Sequence, residues 1–424
     1  MSSREEQRLL GLEVARYFVS NPKYRFEGFA GLGRHGGALI LFEQASEERA
    51  ARRMVIKYSY GHLSLDPDSD ADADLRNEYH WLKRLRGAEH IVQLVPMSDC
   101  SIFIPGVSSS QGNEGSSSGG SVLGVRSLGR SWSTTYSAST RSSSESGERR
   151  FPTFAVEFLE WGTLNTFRAR LLEAGVERLP SRLIWRLWLC MVRQCVAMAF
   201  PPDLDIADDE AVPQVEREVI KPQRYATITQ NSAHHDNFVF AEPTDMLGNE
   251  HEPTLPVLKL IDFGRGKLMP EERGRDFIPD HPDQFGSRVN LLYAALSCMR
   301  LCCLTGHGDD FEPLDEPVEY YWTVDRENYG VRTIAPAILR NNGYIDTQLR
   351  TLLVRLMVLE LGETPTLEDV LRETEAAVAE KGPDHPRLRT AMASLVNLSE
   401  TDETIRQIIQ KHIYDPWEEE EDEE

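Results

Sequence analysis

The chain is short of cysteine, short of positive charge and without a long apolar run, and each shortage excludes a class of protein. Its six cysteines, Cys100, Cys190, Cys195, Cys298, Cys302 and Cys303, follow neither disulfide-framework nor zinc-site spacing. Four stand in apolar stretches of helical character, where a free thiol packs as a small hydrophobe, so a reducing compartment is expected. Lysine and arginine total 46 against 68 acidic residues, a formal charge of −22. Neutralising phosphates needs the opposite balance, so no nucleic-acid surface is expected. The N-terminus lacks the apolar core of a signal peptide. The most apolar stretch, Leu291 to Leu304, is interrupted by Arg300 and is too short to span a bilayer. A soluble cytoplasmic or nuclear protein is the expectation, with neither membrane nor nucleic acid among its partners.

What is present supports a sizeable core: 424 residues, of which 40% are hydrophobic. Residues 106–150 are rich in serine and glycine without apolar periodicity, which predicts a disordered insert. Within it, Arg130-Ser131-Trp132-Ser133 and Arg141-Ser142-Ser143-Ser144 place serines three residues after arginine. They read either as phosphorylation sites or as an unregulated spacer. A second, polar insert covers 242–256, and the run from Asp415 to Glu424 is nearly all acidic, a solvated tail. Around these lie short β-prone runs (Leu39 to Phe42, Met54 to Ile56, Ile91 to Val95, Phe154 to Leu159) and stretches of helical spacing (Asp74 to Leu85, Ser181 to Phe200, Ser287 to Leu304, Gln348 to Leu361). A small β-rich half followed by a large helical half is the outline of a two-lobed α+β protein.

The chemistry-bearing motifs come in a fixed order. Gly31-Leu32-Gly33-Arg34-His35-Gly36-Gly37-Ala38 lies between two predicted strands, where glycines let a hairpin backbone approach phosphates. Lys57 ends the strand Met54-Val55-Ile56, and Glu78 sits in the helix that follows. Downstream come Val156-Glu157-Phe158-Leu159-Glu160-Trp161-Gly162, then Asn237-Phe238-Val239-Phe240, then Leu258-Lys259-Leu260-Ile261-Asp262-Phe263-Gly264. Each alone is weak. Together, over roughly residues 24 to 375, they resemble the protein-kinase-like superfamily, and in particular its divergent, fungal-type members.

That resemblance implies a protein-kinase-like two-lobed fold, with a small antiparallel β-rich N-lobe and a large helical C-lobe. It divides the chain into a helical extension (1–23), the N-lobe and hinge strand (24–159), the C-lobe (160–380), and C-terminal helices with the acidic tail (381–424). It implies that Gly31, Gly33, Gly36, Ala38 and Val55 surround ATP, and that Lys57, held by Glu78, reaches its phosphates. Val156 would be the gatekeeper, with the Glu157 carbonyl and the Leu159 amide meeting adenine. Asn237 and Asp262 would hold Mg²⁺.

The same resemblance exposes losses. The catalytic aspartate position, five residues before Asn237, is Ser232 within Gln230-Asn231-Ser232; a hydroxyl is no base near neutral pH. His234 stands where protein-serine kinases place a lysine that steadies the γ-phosphate. Rescue by His235 or Asp236 is not expected, nor a metal site at the His234-His235 pair. Ile278-Pro279-Asp280 is the remnant of an Ala-Pro-Glu motif, Thr364 replaces the arginine that would pair with it, and Asn290 replaces the aspartate that would anchor the catalytic loop. The expectation is a pseudokinase that binds ATP and Mg²⁺ and serves an unidentified protein partner. The alternatives are an active divergent Ser/Thr kinase acting on a protein substrate, a small-molecule phosphotransferase, and an interaction module without nucleotide.

Overall fold

Alternation along the strands builds the N-terminal half. In β2 (Gly36–Glu43), buried Gly37, Leu39, Leu41 and Glu43 alternate with half-buried Gly36, Ala38, Ile40 and Phe42, the period of a strand with two different faces. The computed structural model describes residues 3–47, 50–61, 70–97, 153–202, 214–222, 228–242, 255–268, 285–324, 327–358, 364–382 and 400–415. The Ser-rich insert with its arginine-serine spacings, Cys100, Ile278-Pro279-Asp280 and the acidic run beyond Asp415 lie outside the described residues.

Strands β1 (Tyr24–Leu32), β2, β3 (Arg52–Ser59) and β4 (Thr153–Glu157) form one antiparallel sheet in that order. The register sets Ala38 beside Lys57 and Val55 beside Val156. Helix α1 (Ser3–Val19) covers one face: Leu10, Val14 and Phe18 share a core with Leu39, Leu41, Met54, Ile56 and Tyr58. Each such aliphatic buried is worth about 1.5–3 kcal/mol, so the face is committed to packing. The other face keeps Ala38, Ile40, Val55 and Lys57 only half-buried. Helix α2 (Ala71–Arg84) packs against β3 from that side. Its start is fixed by Asp70, whose carboxylate accepts the Ala73 amide at 3.0 Å, and by Asp72 and Asp74 in the first turn. Leu75, Glu78 and Leu82 fall at helical spacing on its buried face.

The run Ile91 to Val95, expected as a strand, forms only isolated bridges, Ile91 to Leu260 and Leu94 to Val156. Its backbone is divided between two neighbours, Val92 N–H donating to the Leu260 carbonyl at 3.1 Å and Val95 N–H to the Ala155 carbonyl at 2.9 Å, while the Gln93 side chain donates to the Ala88 and Ile91 carbonyls, both at 2.7 Å, and accepts the Gly87 amide.

The C-terminal half is built on α4 (Ser181–Ala199), buried at every residue. A helix apolar nearly all round can only be central. After the short α3 (Leu164–Glu173), α4 is packed by α5 (Phe285–Cys302) and by α8 (Leu367–Glu380). Between them lie the two-residue strands β5 (Ile228–Thr229) and β8 (Lys267–Leu268), the β6 (Phe238–Ala241) and β7 (Val257–Leu260) hairpin, and the β9 (Val318–Val324) and β10 (Glu327–Thr333) hairpin. α6 (Ala337–Arg340), α7 (Thr347–Leu356) and α9 (Asp402–Ile409) complete the α-helices among the described residues. Leu255 is fully buried in the core ahead of β7. This is a two-lobed α+β arrangement, an antiparallel sheet followed by a helical lobe. Among the described residues no helix is long and apolar enough to cross a membrane.

Candidate nucleotide-binding site

Three elements converge on Lys57. β3 points it off the half-open face of the sheet, α2 supplies Glu78, and the segment after β7 supplies Asp262. Lys57 Nζ donates to Glu78 Oε1. Burial alone would lower the Lys57 pKa, but the Glu78 and Asp262 carboxylates outweigh it and raise it, so the ammonium is retained. Two carboxylates thus face one ammonium in a desolvated place, a local excess of negative charge that suits a further cation.

Two residues in left-handed backbone flank this centre, Asn231 (φ 60°) and Asp262 (φ 61°). Non-glycine residues held there cost of order 1–3 kcal/mol and cluster at functional sites. Asp262 is fixed through its neighbours. Its Oδ1 accepts the Gly264 amide at 3.2 Å, and its carbonyl accepts Gln230 Nε2 at 2.6 Å. The β6–β7 ladder brings Asn237 alongside: Ile261 N–H donates to the Asn237 carbonyl at 2.9 Å, one step beyond the Phe238–Leu260 pair. Asn237 Nδ2 donates to the Ser232 carbonyl at 2.7 Å. That commits the amide nitrogen and leaves Oδ1 as the oxygen available to a ligand. Asp262 Oδ2 and Asn237 Oδ1 are hard oxygen donors of the kind Mg²⁺ takes, so the residues present fit that ion.

Ser232 occupies the loop as its sequence position demands, half-buried, with its Oγ 3.3 Å from Asn237 Nδ2. Among the described residues no carboxylate hydrogen-bonds that hydroxyl. His234 and Asp236 are exposed, 52% and 59%, and stand 3.7 Å apart. His235 is turned inward: its Nε2 bonds to the Ser297 carbonyl at 2.9 Å, and burial pushes its pKa down to about 4. It is a neutral structural histidine.

The frame around the loop corrects one expectation. Asn290, read as a lost anchor, holds the loop from both sides. Its Oδ1 accepts the Gln230 amide at 3.2 Å and its Nδ2 donates to the Ile228 carbonyl at 2.8 Å. An amide serves where a carboxylate was expected because one of the two groups to be satisfied here is an acceptor. Gln230 accepts the Ser232 amide at 2.7 Å while donating to the Asp262 carbonyl. Sequence reasoning missed both clamps. It also missed Asn77 and Trp81 of α2, which donate to Gly264 and Gly266 carbonyls at 2.7–2.9 Å and bind the Glu78 helix to the segment after Asp262.

The glycine hairpin divides in its reasons. A Cβ at Gly36 would lie 2.4 Å from the Tyr58 carbonyl, so packing requires glycine there. A Cβ at Gly31 would meet nothing within 4 Å, so the need for glycine is not internal. Gly33 N–H closes the tip on the Gly36 carbonyl at 2.9 Å. Ala38 and Val55 lie half-buried on the open face. At the end of β4 Val156 is buried, and Leu159 just beyond it is half-buried. The Glu157 carboxylate is tied back, accepting Lys259 Nζ at 2.6 Å and the Gln93 amide at 2.8 Å. Ordering that side chain stiffens the strand end from which Leu159 follows.

Thus Lys57, Glu78, Asn237 and Asp262 lie in one constellation, with Ser232 beside them and His234 at the surface. No protein-family model matches the chain, and no curated protein matches it. Among solved structures, the CAK complex from Chaetomium thermophilum bound to ATP-gamma-S is similar over 88% of this chain and 96% of that chain, with 12% sequence identity and a TM-score of 0.47.

Proposed function

We propose that this chain is a kinase-like ATP-binding protein whose phosphotransfer is impaired and which acts as a scaffold or regulator. The observation that carries the reading is the contrast within one site. The Lys57–Glu78 pair, Asp262 and Asn237 are assembled, while no carboxylate is bonded to the Ser232 hydroxyl. In this reading Lys57 meets the α- and β-phosphates, the Gly31 and Gly33 backbone approaches them closely, and the main chain from Glu157 to Leu159 reads the adenine edge. Asp262 and Asn237 would hold Mg²⁺, which when bound neutralises phosphate charge. Among the described residues no carboxylate is hydrogen-bonded to Ser232 to take a proton from an incoming hydroxyl, so chemistry is the step that suffers.

The test is a thermal-shift titration with Mg-ATP. Ligand that binds only the folded chain raises the melting temperature, by the equivalent of about 2.7 kcal/mol at a hundredfold excess over Kd. Asp262→Asn is expected to lose the magnesium-dependent part of the shift, and Lys57→Ala most of it. No shift at millimolar Mg-ATP (on the order of 1 mM or more) refutes the nucleotide reading in favour of an interaction module. One observation supports an active enzyme instead: Gln230 and Asn290 keep the catalytic loop framed. Radiolabelled autophosphorylation above the Lys57→Ala background would establish that second reading.

A further inference from the structure

The β9–β10 hairpin takes no part in the nucleotide site, and its composition is unusual for an exposed edge. Among the described residues β9 pairs only with β10, leaving its other edge open. Natural edges are blunted by lysine, proline or a bulge. Val318–Val324 contains neither residue, carries Glu319 as its one charge, and runs in unbroken register with β10. Tyr321 is 71% exposed on one face. On the other, Tyr320, Trp322 and Tyr329 stack in sequence, with ring centroids 6.1 and 5.8 Å apart. The guanidinium of Arg355 lies 5.9 Å from the Trp322 ring, so this face already accepts a cation.

Charge identifies the occupant. From Asp309 to Thr333 the chain carries eight acidic residues against two arginines. Of these, Asp309, Asp310, Glu312, Asp315 and Glu316 are exposed on the approach to β9. The chain as a whole is at −22, which repels a second copy and draws in a cation. We propose that the hairpin is a docking edge that takes an extended, Arg/Lys-rich segment of a partner protein as its third strand. Main-chain pairing along β9 supplies attachment, and alternate side chains of the segment fall beside Glu319 and Tyr321 on one face and beside Tyr320 and Trp322 on the other.

The experiment uses the full chain and a fluorescent peptide alternating arginine with valine, with a glutamate-for-arginine peptide as control, read by anisotropy and by amide hydrogen exchange. The cationic peptide binds and the acidic one does not, and exchange slows at the amides of Val318–Val324. Glu316→Lys with Glu319→Lys weakens binding by about tenfold or more. Both changes are at exposed positions, and a melting temperature matching the parent shows that folding is kept. Absence of binding overturns the proposal, as does binding that leaves the β9 amides unprotected. Protection of β9 that depends on protein concentration without peptide, seen with self-association in sedimentation, also overturns it by making a second copy the occupant.

Discussion

Replacing Lys57 by methionine removes the ammonium while keeping most of the side-chain volume. Glu78, 4% exposed, then faces Asp262 without a counter-charge. Breaking a buried ion pair by deleting one partner costs about 3–5 kcal/mol. The Lys57 side chain is 17% exposed, so the low end applies, about 3 kcal/mol. At about 2 °C per kcal/mol for a chain of this size, the melting temperature falls by about 6 °C. The loss depends on pH in a defined direction. Burial raises the Glu78 pKa, Lys57 opposes that, and Asp262 adds to it; deleting Lys57 raises it further. A group whose folded pKa lies above its unfolded value favours folding below the unfolded value and loses that contribution as pH rises through the folded one. The deficit is therefore smaller in mildly acidic than in neutral buffer, because Glu78 takes up its proton at a higher pH than an ordinary carboxylate. Lys57→Met with Glu78→Leu recovers most of the stability, since an apolar pair of similar volume carries no stranded charge. Differential scanning calorimetry of the two variants in both buffers checks this. An equal deficit in both, or a double variant as unstable as the single, refutes the account of the pair.

Further expectations follow from the clamps. Asn290→Leu strands the Gln230 amide and the Ile228 carbonyl and costs about 2–4 kcal/mol by denaturant titration, whereas Asn290→Asp keeps the acceptor and costs about half of that. If that frame is sound, Ser232→Asp restores a carboxylate at the missing position and raises autophosphorylation above the parent; no rise beyond the Lys57→Ala background shows that more than the base is lost. His90 and Glu218 form a second buried pair, Nδ1 to Oε2 2.7 Å. Burial lowers the His90 pKa but Glu218 outweighs it and raises it from 6.5 to about 10, while Glu218 itself is lowered by His90 against the upward push of burial. The histidine's contribution is complete below 6.5 and lost as pH rises through about 10. The glutamate's is present above the ordinary carboxylate range and lost as pH falls through its lowered value. The parent therefore loses melting temperature above neutrality more steeply than His90→Gln, and parallel curves would refute the pair.

Residue type and spacing made the lysine, the two carboxylates and the loop asparagine legible, because each belongs to a short motif whose own chemistry limits the choices. The clamps were not legible, for a reason visible in their separations. Gln230 and Asn290 lie 60 residues apart, Glu157 and Lys259 102, and His90 and Glu218 128. Such polar pairs are specified by which chain segments meet, and a glutamine or asparagine alone carries no trace of its partner. Asn290 shows the hazard directly, since a motif position filled by another residue read as a loss while the geometry had been rebuilt around an amide. Ile91 to Val95 shows the converse: β-prone residues whose backbone is divided between two partner segments, so that no ladder runs along either.

The last described segment of the chain bears on the order in which the protein can fold during synthesis. Glu400 caps α4, accepting the Ser181 and Arg182 amides at 2.8 and 3.0 Å from 219 and 218 positions away. Ile405, Ile409 and Ile413 are buried in the larger core, and Tyr414 meets Trp161 edge-on at 4.7 Å just after β4. The strand pairing of the N-terminal sheet is complete by Glu157 and can form while translation continues. The helical lobe lacks the cap of α4 and its last core residues until 400–414 have left the ribosome, after α4 has met α5 and α8. A nascent chain with so late a closing contact is a natural client for chaperones, whatever its finished site goes on to bind.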